Sequence, residues 1–347
     1  MATKKIIRIG IFVGGLVYLS IAFALPKQSD YPHWDFNNPG MYKKLVKIDS
    51  FINKNRNKNY VAIFDWDGTL YNEKIPLKQY SIGALRAGQP AWHIWASYHL
   101  YDPKYPNLFP MFHALDGKGQ IYLDRKDDYL EGQTNVKVDD YNKFSQIATI
   151  EANMTPVQFT TAVNGYLKLY PTKNYVFYPM LDIMQHLINS GFHVWIVTGS
   201  NPYFISVLLR DIEKNIYYTK YRKYHFNLGS TPYNPKLGHI AGNMARLTVN
   251  HKFSMIYDDR YTTNNLNQLY VVEGEGKKIV LERYIPKREK TPIIFYAGNS
   301  GGDYAAMQYV LSQKNLNTLG IGVNPQGTLK QLKEKYFKKL IFVPVKY

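Results

Sequence analysis

The clearest apolar runs in this chain are short, and each ends in a cluster of small polar residues. Tyr60-Val61-Ala62-Ile63-Phe64 is apolar throughout, rich in β-formers, and runs directly into Asp65-Trp66-Asp67-Gly68-Thr69-Leu70. Phe192 to Val197 repeats the pattern and ends in Thr198-Gly199-Ser200. Pro292 to Ala297 repeats it again before Gly298-Asn299-Ser300-Gly301-Gly302-Asp303. Continuous apolar runs of this length predict strands buried on both faces, as in a parallel sheet. A shorter run at Leu319 to Val323 fits the same scheme.

Between these runs the period becomes helical. Leu45, Ile48, Phe51 and Ile52 give 41–52 one apolar face. A helix is predicted from Pro179 to Asn189, closed by Gly191, another from near Pro202, and another from Thr328 to Phe337. Strands alternating with helices predict an α/β fold, a doubly wound, Rossmann-like parallel sheet with helices on both faces. Ligands of such sheets bind beyond the carboxyl ends of the strands. Three polar clusters at three such ends therefore predict one site.

The first 25 residues follow another pattern. Lys4, Lys5 and Arg8 precede an apolar run from Ile9 to Leu25 that contains Ala22-Phe23-Ala24. A basic start, an apolar middle and a small-x-small end predict a signal peptide over 1–24 and a periplasmic or secreted mature chain. An uncleaved anchor is the alternative, although 17 residues is short for a membrane span. Residues 25–58 then read as a polar tether, Lys27 to Asn38, followed by the helix of 41–52.

Composition narrows the chemistry. The 347 residues include no Cys, which excludes a disulfide framework, a thiol nucleophile and a Cys-based zinc site. The net charge of +17 favours anionic ligands, among them phosphorylated metabolites, nucleic acid and anionic lipid. Tyr217 to His225 interleaves basic and aromatic residues, but no nucleic-acid-binding signature accompanies it, and it reads as a solvated face. Trp92, Trp95 and His99 share one face at helical spacing. They read as the local core of an aromatic segment, with a wall for a choline-like cation as the alternative. His93 and His99 have no partners at metal-binding spacing.

Asp65 and Asp67 place two carboxylates two residues apart at a strand end. One ionised carboxylate can attack a phosphoryl group, and a second, protonated one can supply the leaving oxygen with its proton. Close carboxylates push their pKa values apart in the sense this division of labour requires.

Asp65-Trp66-Asp67-Gly68-Thr69-Leu70 resembles the DxDGT signature of the haloacid dehalogenase (HAD) superfamily phosphatases. The resemblance continues in order through Val197-Thr198-Gly199, Gly274-Glu275-Gly276-Lys277 and Gly298 to Asp303, covering about Tyr60 to Val323. The flanks look most like the phosphoserine phosphatase and phosphorylcholine phosphatase branch. The resemblance implies a catalytic core over 59–74 and 175–347 with a helical cap inserted at 75–174. It implies Asp65 as nucleophile and metal ligand, and Asp67 as general acid/base with its backbone carbonyl on Mg2+. Gly68 and Thr69 would line the phosphate site, where Thr198, Gly199 and Ser200 would hold phosphoryl oxygens. Lys277, with Lys278 as its rival, would balance charge. Asn299 and Asp303 would complete the metal site, Asp303 through water. Asn299 stands where many members carry Asp, and an uncharged donor there implies weaker metal binding.

The function so implied is an exported Mg2+-dependent hydrolase of a small phosphomonoester, phosphocholine- or phosphoserine-like. The membrane would be a partner only through an uncleaved anchor. A phosphotransferase using the same phosphoenzyme and a non-catalytic envelope-associated binding protein are the alternatives.

Overall fold

The structure is a computed structural model and describes residues 25–72, 89, 92, 148, 151–228, 238–262 and 270–346. In chain order the elements are α1 (Pro39–Lys54), β1 (Val61–Phe64), α2 (Pro156–Leu169), α3 (Tyr178–Asn189), β2 (His193–Val197) and α4 (Pro202–Asn215). Next come β3 (Tyr217–Thr219), β4 (Arg222–Lys223), β5 (Ile240–Ala241), β6 (Ala245–Leu247) and β7 (Phe253–Tyr257). Then α5 (Glu275–Ile279) continues through a π turn, Val280–Tyr284, into α6 (Ile285–Glu289). The last elements are β8 (Ile293–Gly298), α7 (Tyr304–Ser312), β9 (Leu319–Val323), α8 (Leu332–Lys335) and β10 (Leu340–Val343).

Six strands form one sheet in the order β10-β9-β8-β1-β2-β5, with every pairing parallel. The fold is α/β, with helices flanking this sheet. β1 lies between β2 and β8, so the chain turns from one side of the sheet to the other beside β1, where open α/β sheets bind ligands. The register sets the level of the site. Phe64 stands opposite Ile196 on one side and Ala297 on the other, so the polar residues beyond all three strands emerge together.

The strands are apolar because both their faces are covered. Phe51 of α1 packs against Phe192 and Phe295 at ring distances of 6.3 and 6.1 Å, and Phe64 lies 5.3 Å from Phe295. Asn38 caps α1 by accepting hydrogen bonds from the Gly40 and Met41 amides, which satisfies donors the first turn leaves open. Gly191, at φ +80°, makes the left-handed turn between α3 and β2.

The stretch read as a tether is docked on the body. Tyr31 and Trp34 are buried, and the Tyr31 hydroxyl donates to Asp49 at 2.9 Å. Asp182 of α3, fully buried, accepts from the His33 amide at 2.7 Å and the Tyr224 hydroxyl at 2.6 Å. The Tyr218 hydroxyl donates to the Asp30 carbonyl.

Of the aromatic segment, Trp92 is buried between Phe159 and Phe204, at 4.9 and 6.2 Å. That is the core role expected of it. His93, Trp95, Tyr98 and His99 lie outside the described residues, as do 1–24 and most of the proposed cap. α2 opens with a Thr155/Gln158 capping box and packs on α4. Among the described residues no helix is long and apolar enough to cross a membrane.

Candidate active site

Asp65 follows β1, and its amide donates to the Ala297 carbonyl at 2.9 Å, which pins it beside β8. Its carboxylate is buried. One oxygen accepts from the Lys277 ammonium at 2.8 Å and the other from the Thr69 hydroxyl at 3.1 Å. The Lys277 ammonium reaches the Asp303 carboxylate at 2.9 Å and lies 3.5 Å from Glu273. Lys278, one residue on, faces outward to Glu275 and Glu282, so Lys277 is the lysine of this cluster.

Asp303 is satisfied on both oxygens. Oδ1 accepts from Lys277 and from the Tyr296 hydroxyl at 2.9 Å; Oδ2 accepts from the Asn299 and Ser300 amides at 2.9 and 3.1 Å. The carboxylate therefore organises the Asn299–Asp303 turn as well as holding the lysine. Gly298 permits this closure, since a β-carbon there would lie 2.5 Å from Asp303 Cγ.

Asp67 faces the third strand end. Its Oδ2 accepts from the Ser200 hydroxyl at 2.6 Å and, more weakly, from Thr198 at 3.4 Å. Oδ1 is buried with no hydrogen-bond partner among the described residues. Gly68 turns at φ +77°, and a β-carbon there would stand 1.8 Å from the Asn299 side-chain nitrogen. Glycine thus lets the Asn299 amide close against the turn after Asp67.

Electrostatics follow from burial. Burial pushes the Asp65 carboxyl well above its ordinary pKa, Asp303 adding to the shift and Lys277 opposing it. Burial likewise raises Asp67, against the hydrogen bond from Ser200 and the charge of Lys277. For Lys277 burial works toward the neutral amine, but Asp303, Asp65 and Glu273 outweigh it and hold the ammonium well above its usual range. The cluster therefore joins a fixed cation to carboxyls whose ionisation burial opposes and Lys277 favours, a combination typical of reactive sites.

The structure thus brings Asp65, Asp67, Gly68, Thr69, Thr198, Gly199, Ser200, Lys277, Asn299 and Asp303 to the ends of three adjacent strands. Sequence reading missed two supports. Tyr296, inside β8, looks like an ordinary strand aromatic until its hydroxyl is seen on Asp303. Asn243 donates to the Gly199 carbonyl at 2.9 Å while its own oxygen accepts from the Tyr257 hydroxyl and the Val272 amide. It thereby ties the Thr198 loop to the segment that leads into Lys277, and no local sequence signal marks it.

No family model matches the sequence, and no curated protein does. Solved structures do resemble it. A protein of unknown function from Bordetella pertussis Tohama I superposes with a TM-score of 0.50 at 13% identity, over 82% of this chain and 98% of that one. The fold is therefore a shared one. A conserved protein of unknown function from Anaerococcus prevotii gives 0.49 at 13% identity, over 85% and 90% of the two chains. A HAD family hydrolase from Salmonella enterica serovar Typhi gives 0.41 at 13%, over 89% and 78%.

Divalent-metal chemistry fits the residues present. The donors are all oxygen: the Asp65 carboxylate, the Asn299 side-chain amide and the Asp67 carbonyl, as a hard ion such as Mg2+ prefers. The missing β-carbon of Gly68 is what lets the Asn299 side chain approach the turn that carries the Asp67 carbonyl. Among the described residues no three His, Asp or Glu side chains group as metal ligands. The reason is visible: Lys277 stands between Asp65 and Asp303, and position 299 is an amide.

Proposed function

We propose that this chain is an exported, HAD-type phosphomonoesterase that works through an aspartyl-phosphate on Asp65. The observation that carries the reading is the Lys277 ammonium held between Asp65 and Asp303, with Asp67 hydrogen-bonded to Ser200 one strand away. Five side chains from four separate stretches of the chain converge where a phosphoryl group needs a nucleophile, an acid and positive charge.

The chain's own residues divide the work. An Asp65 oxygen attacks phosphorus as the bond from phosphorus to the leaving oxygen breaks. Asp67, held by Ser200 through one oxygen, presents its unpartnered Oδ1 to that leaving oxygen and gives up a proton. In the second half the Asp67 carboxylate takes a proton from water. The resulting hydroxide attacks phosphorus, the bond to Asp65 breaks, and inorganic phosphate leaves. Thr198 and the Gly199 amide would hold phosphoryl oxygens, and Lys277 offsets their charge. Ser200, whose hydroxyl donates to Asp67 and whose amide donates to Thr198, positions both of those side chains. Mg2+, held by Asp65, Asn299 and the Asp67 carbonyl, would supply Lewis-acid stabilisation of the phosphoryl oxygens. Asp303, buried with both oxygens engaged, would act indirectly, by holding Lys277 and the turn that carries Asn299.

The substrate in this reading is a small phosphomonoester, phosphocholine- or phosphoserine-like, met outside the cytoplasm after the segment 1–24 has directed export. The test is phosphate release from a panel of phosphomonoesters, with and without Mg2+, by wild type and Asp65→Asn. Metal-dependent release by wild type and none above background from a folded Asp65→Asn is the expected result. Wild-type rates from the variant would end the mechanism.

A further inference from the structure

The hairpin β3–β4 has two unlike faces. Tyr218, Tyr224, Phe226 and Leu228 turn inward and are buried. Outward stand Tyr217, 55% exposed, and Tyr221, 83% exposed, with Lys220, Arg222 and Lys223 around them. The Lys220 ammonium lies 5.3 Å from the Tyr221 ring centre and Lys223 5.4 Å from that of Tyr217. From Tyr217 to Leu228 there is no acidic residue. Of the nearby acids, Glu213 accepts from the Phe226 and Asn227 amides and Asp182 from Tyr224. Half-buried Asp30 lies on the inward side, next to Tyr218.

The hairpin is also joined to the segment that follows the apolar N-terminal run. The Tyr218 hydroxyl donates to the Asp30 carbonyl, five residues after Leu25, which is 66% exposed and ends that run. Tyrosines with apolar bodies and wet tips, interleaved with cations, suit the headgroup layer. Cations near an anionic leaflet each strengthen binding.

We propose that the outward face of the β3–β4 hairpin is a contact surface for an anionic lipid membrane. Tyr217 and Tyr221 enter the headgroup layer and Lys220 and Arg222 meet lipid phosphates. Lys223 contributes less, because its ammonium already donates to the Lys214 carbonyl.

The absence of native cysteine makes the test clean. Full-length Tyr221→Cys carries one environment-sensitive fluorophore and is mixed with phosphatidylcholine vesicles with or without phosphatidylglycerol. The proposal expects a blue shift on phosphatidylglycerol vesicles that weakens with salt, and none from a label at Val249→Cys in the β6–β7 turn. Lys220→Gln/Arg222→Gln should lower partitioning onto those vesicles by roughly thirty-fold, two charges' worth. A position-221 label that stays in water while the protein sediments with vesicles would overturn the proposal. So would equal shifts at 221 and 249, unchanged partitioning of the double variant, or a shift with a single-stranded oligonucleotide and none with vesicles.

Discussion

Replacing Lys277 with Met tests the charge balance of the site apart from any activity. The ammonium is buried and bonded to two carboxylates within 3 Å. Removing one partner of such a cluster strands the others, which typically costs about 3–5 kcal/mol. The two acids are not equally exposed to that loss. Asp303 keeps the Tyr296 hydroxyl and two backbone amides, whereas Asp65 keeps the Thr69 hydroxyl. The stranded charge is therefore mainly that of Asp65. Lys277→Met should lower the denaturation midpoint by on the order of 10 °C, and Lys277→Met/Asp65→Asn should recover about 1–3 kcal/mol of the loss. Urea unfolding followed by circular dichroism measures all four members of the cycle. A Lys277→Met protein as stable as wild type, or a double variant whose loss is the sum of the singles within about 0.5 kcal/mol, refutes the argument.

Three further outcomes follow from the geometry. Gly68→Ala forces a side chain into a left-handed turn and 1.8 Å from the Asn299 amide, so it should cost more than about 1 kcal/mol in urea and depress phosphatase kcat further than stability accounts for. Asn299→Asp restores an anionic donor; calorimetric titration should show tighter Mg2+ binding, and unchanged affinity would remove Asn299 from the metal site. His186 is buried, which lowers its pKa in the folded chain despite Asp30 and Asp49. Its folded pKa lies below the unfolded one, so its contribution is intact above about pH 6.5 and shrinks as pH falls through that value, where only the unfolded chain takes the proton. His186→Gln should flatten the decline in stability between pH 7 and 5; an identical slope would exclude His186 as a source.

The parts of the fold that were legible in sequence are those where one local pattern decides. Runs of β-formers too short for helices gave away β1, β2, β8 and β9 to within a residue or so. The polar clusters after three of them come together because the parallel strands that precede them are in register and end at one level. β5 and β10 escaped notice. β5 is two residues long, and Leu340–Val343 lies next to a lysine-rich stretch that hides its pattern. The helix expected over 328–337 is a 3-10 turn, Gly327–Gln331, followed by one α turn, Leu332–Lys335. The docking of 25–38 was illegible for a different reason. Its anchors, Asp49, Asp182, Tyr218 and Tyr224, are distant in sequence, and nothing local announces that Pro- and Asn-rich chain will bury Tyr31 and Trp34.

The central strand has no near neighbours in the chain. Val61 pairs with His193 on one side and Ile293 on the other, so neither edge of β1 can zip up until well over a hundred further residues are present. Long loops closed before any reward make such sheets slow to form. A polypeptide emerging in order, whether from a ribosome or through a secretion channel, would present β1 as an unpaired apolar ribbon with two acids at its tip. The lysine that neutralises one of them arrives only with the last third of the sequence. The centre of the sheet and the charged cluster can therefore be completed only after Lys277 and β8 have been made.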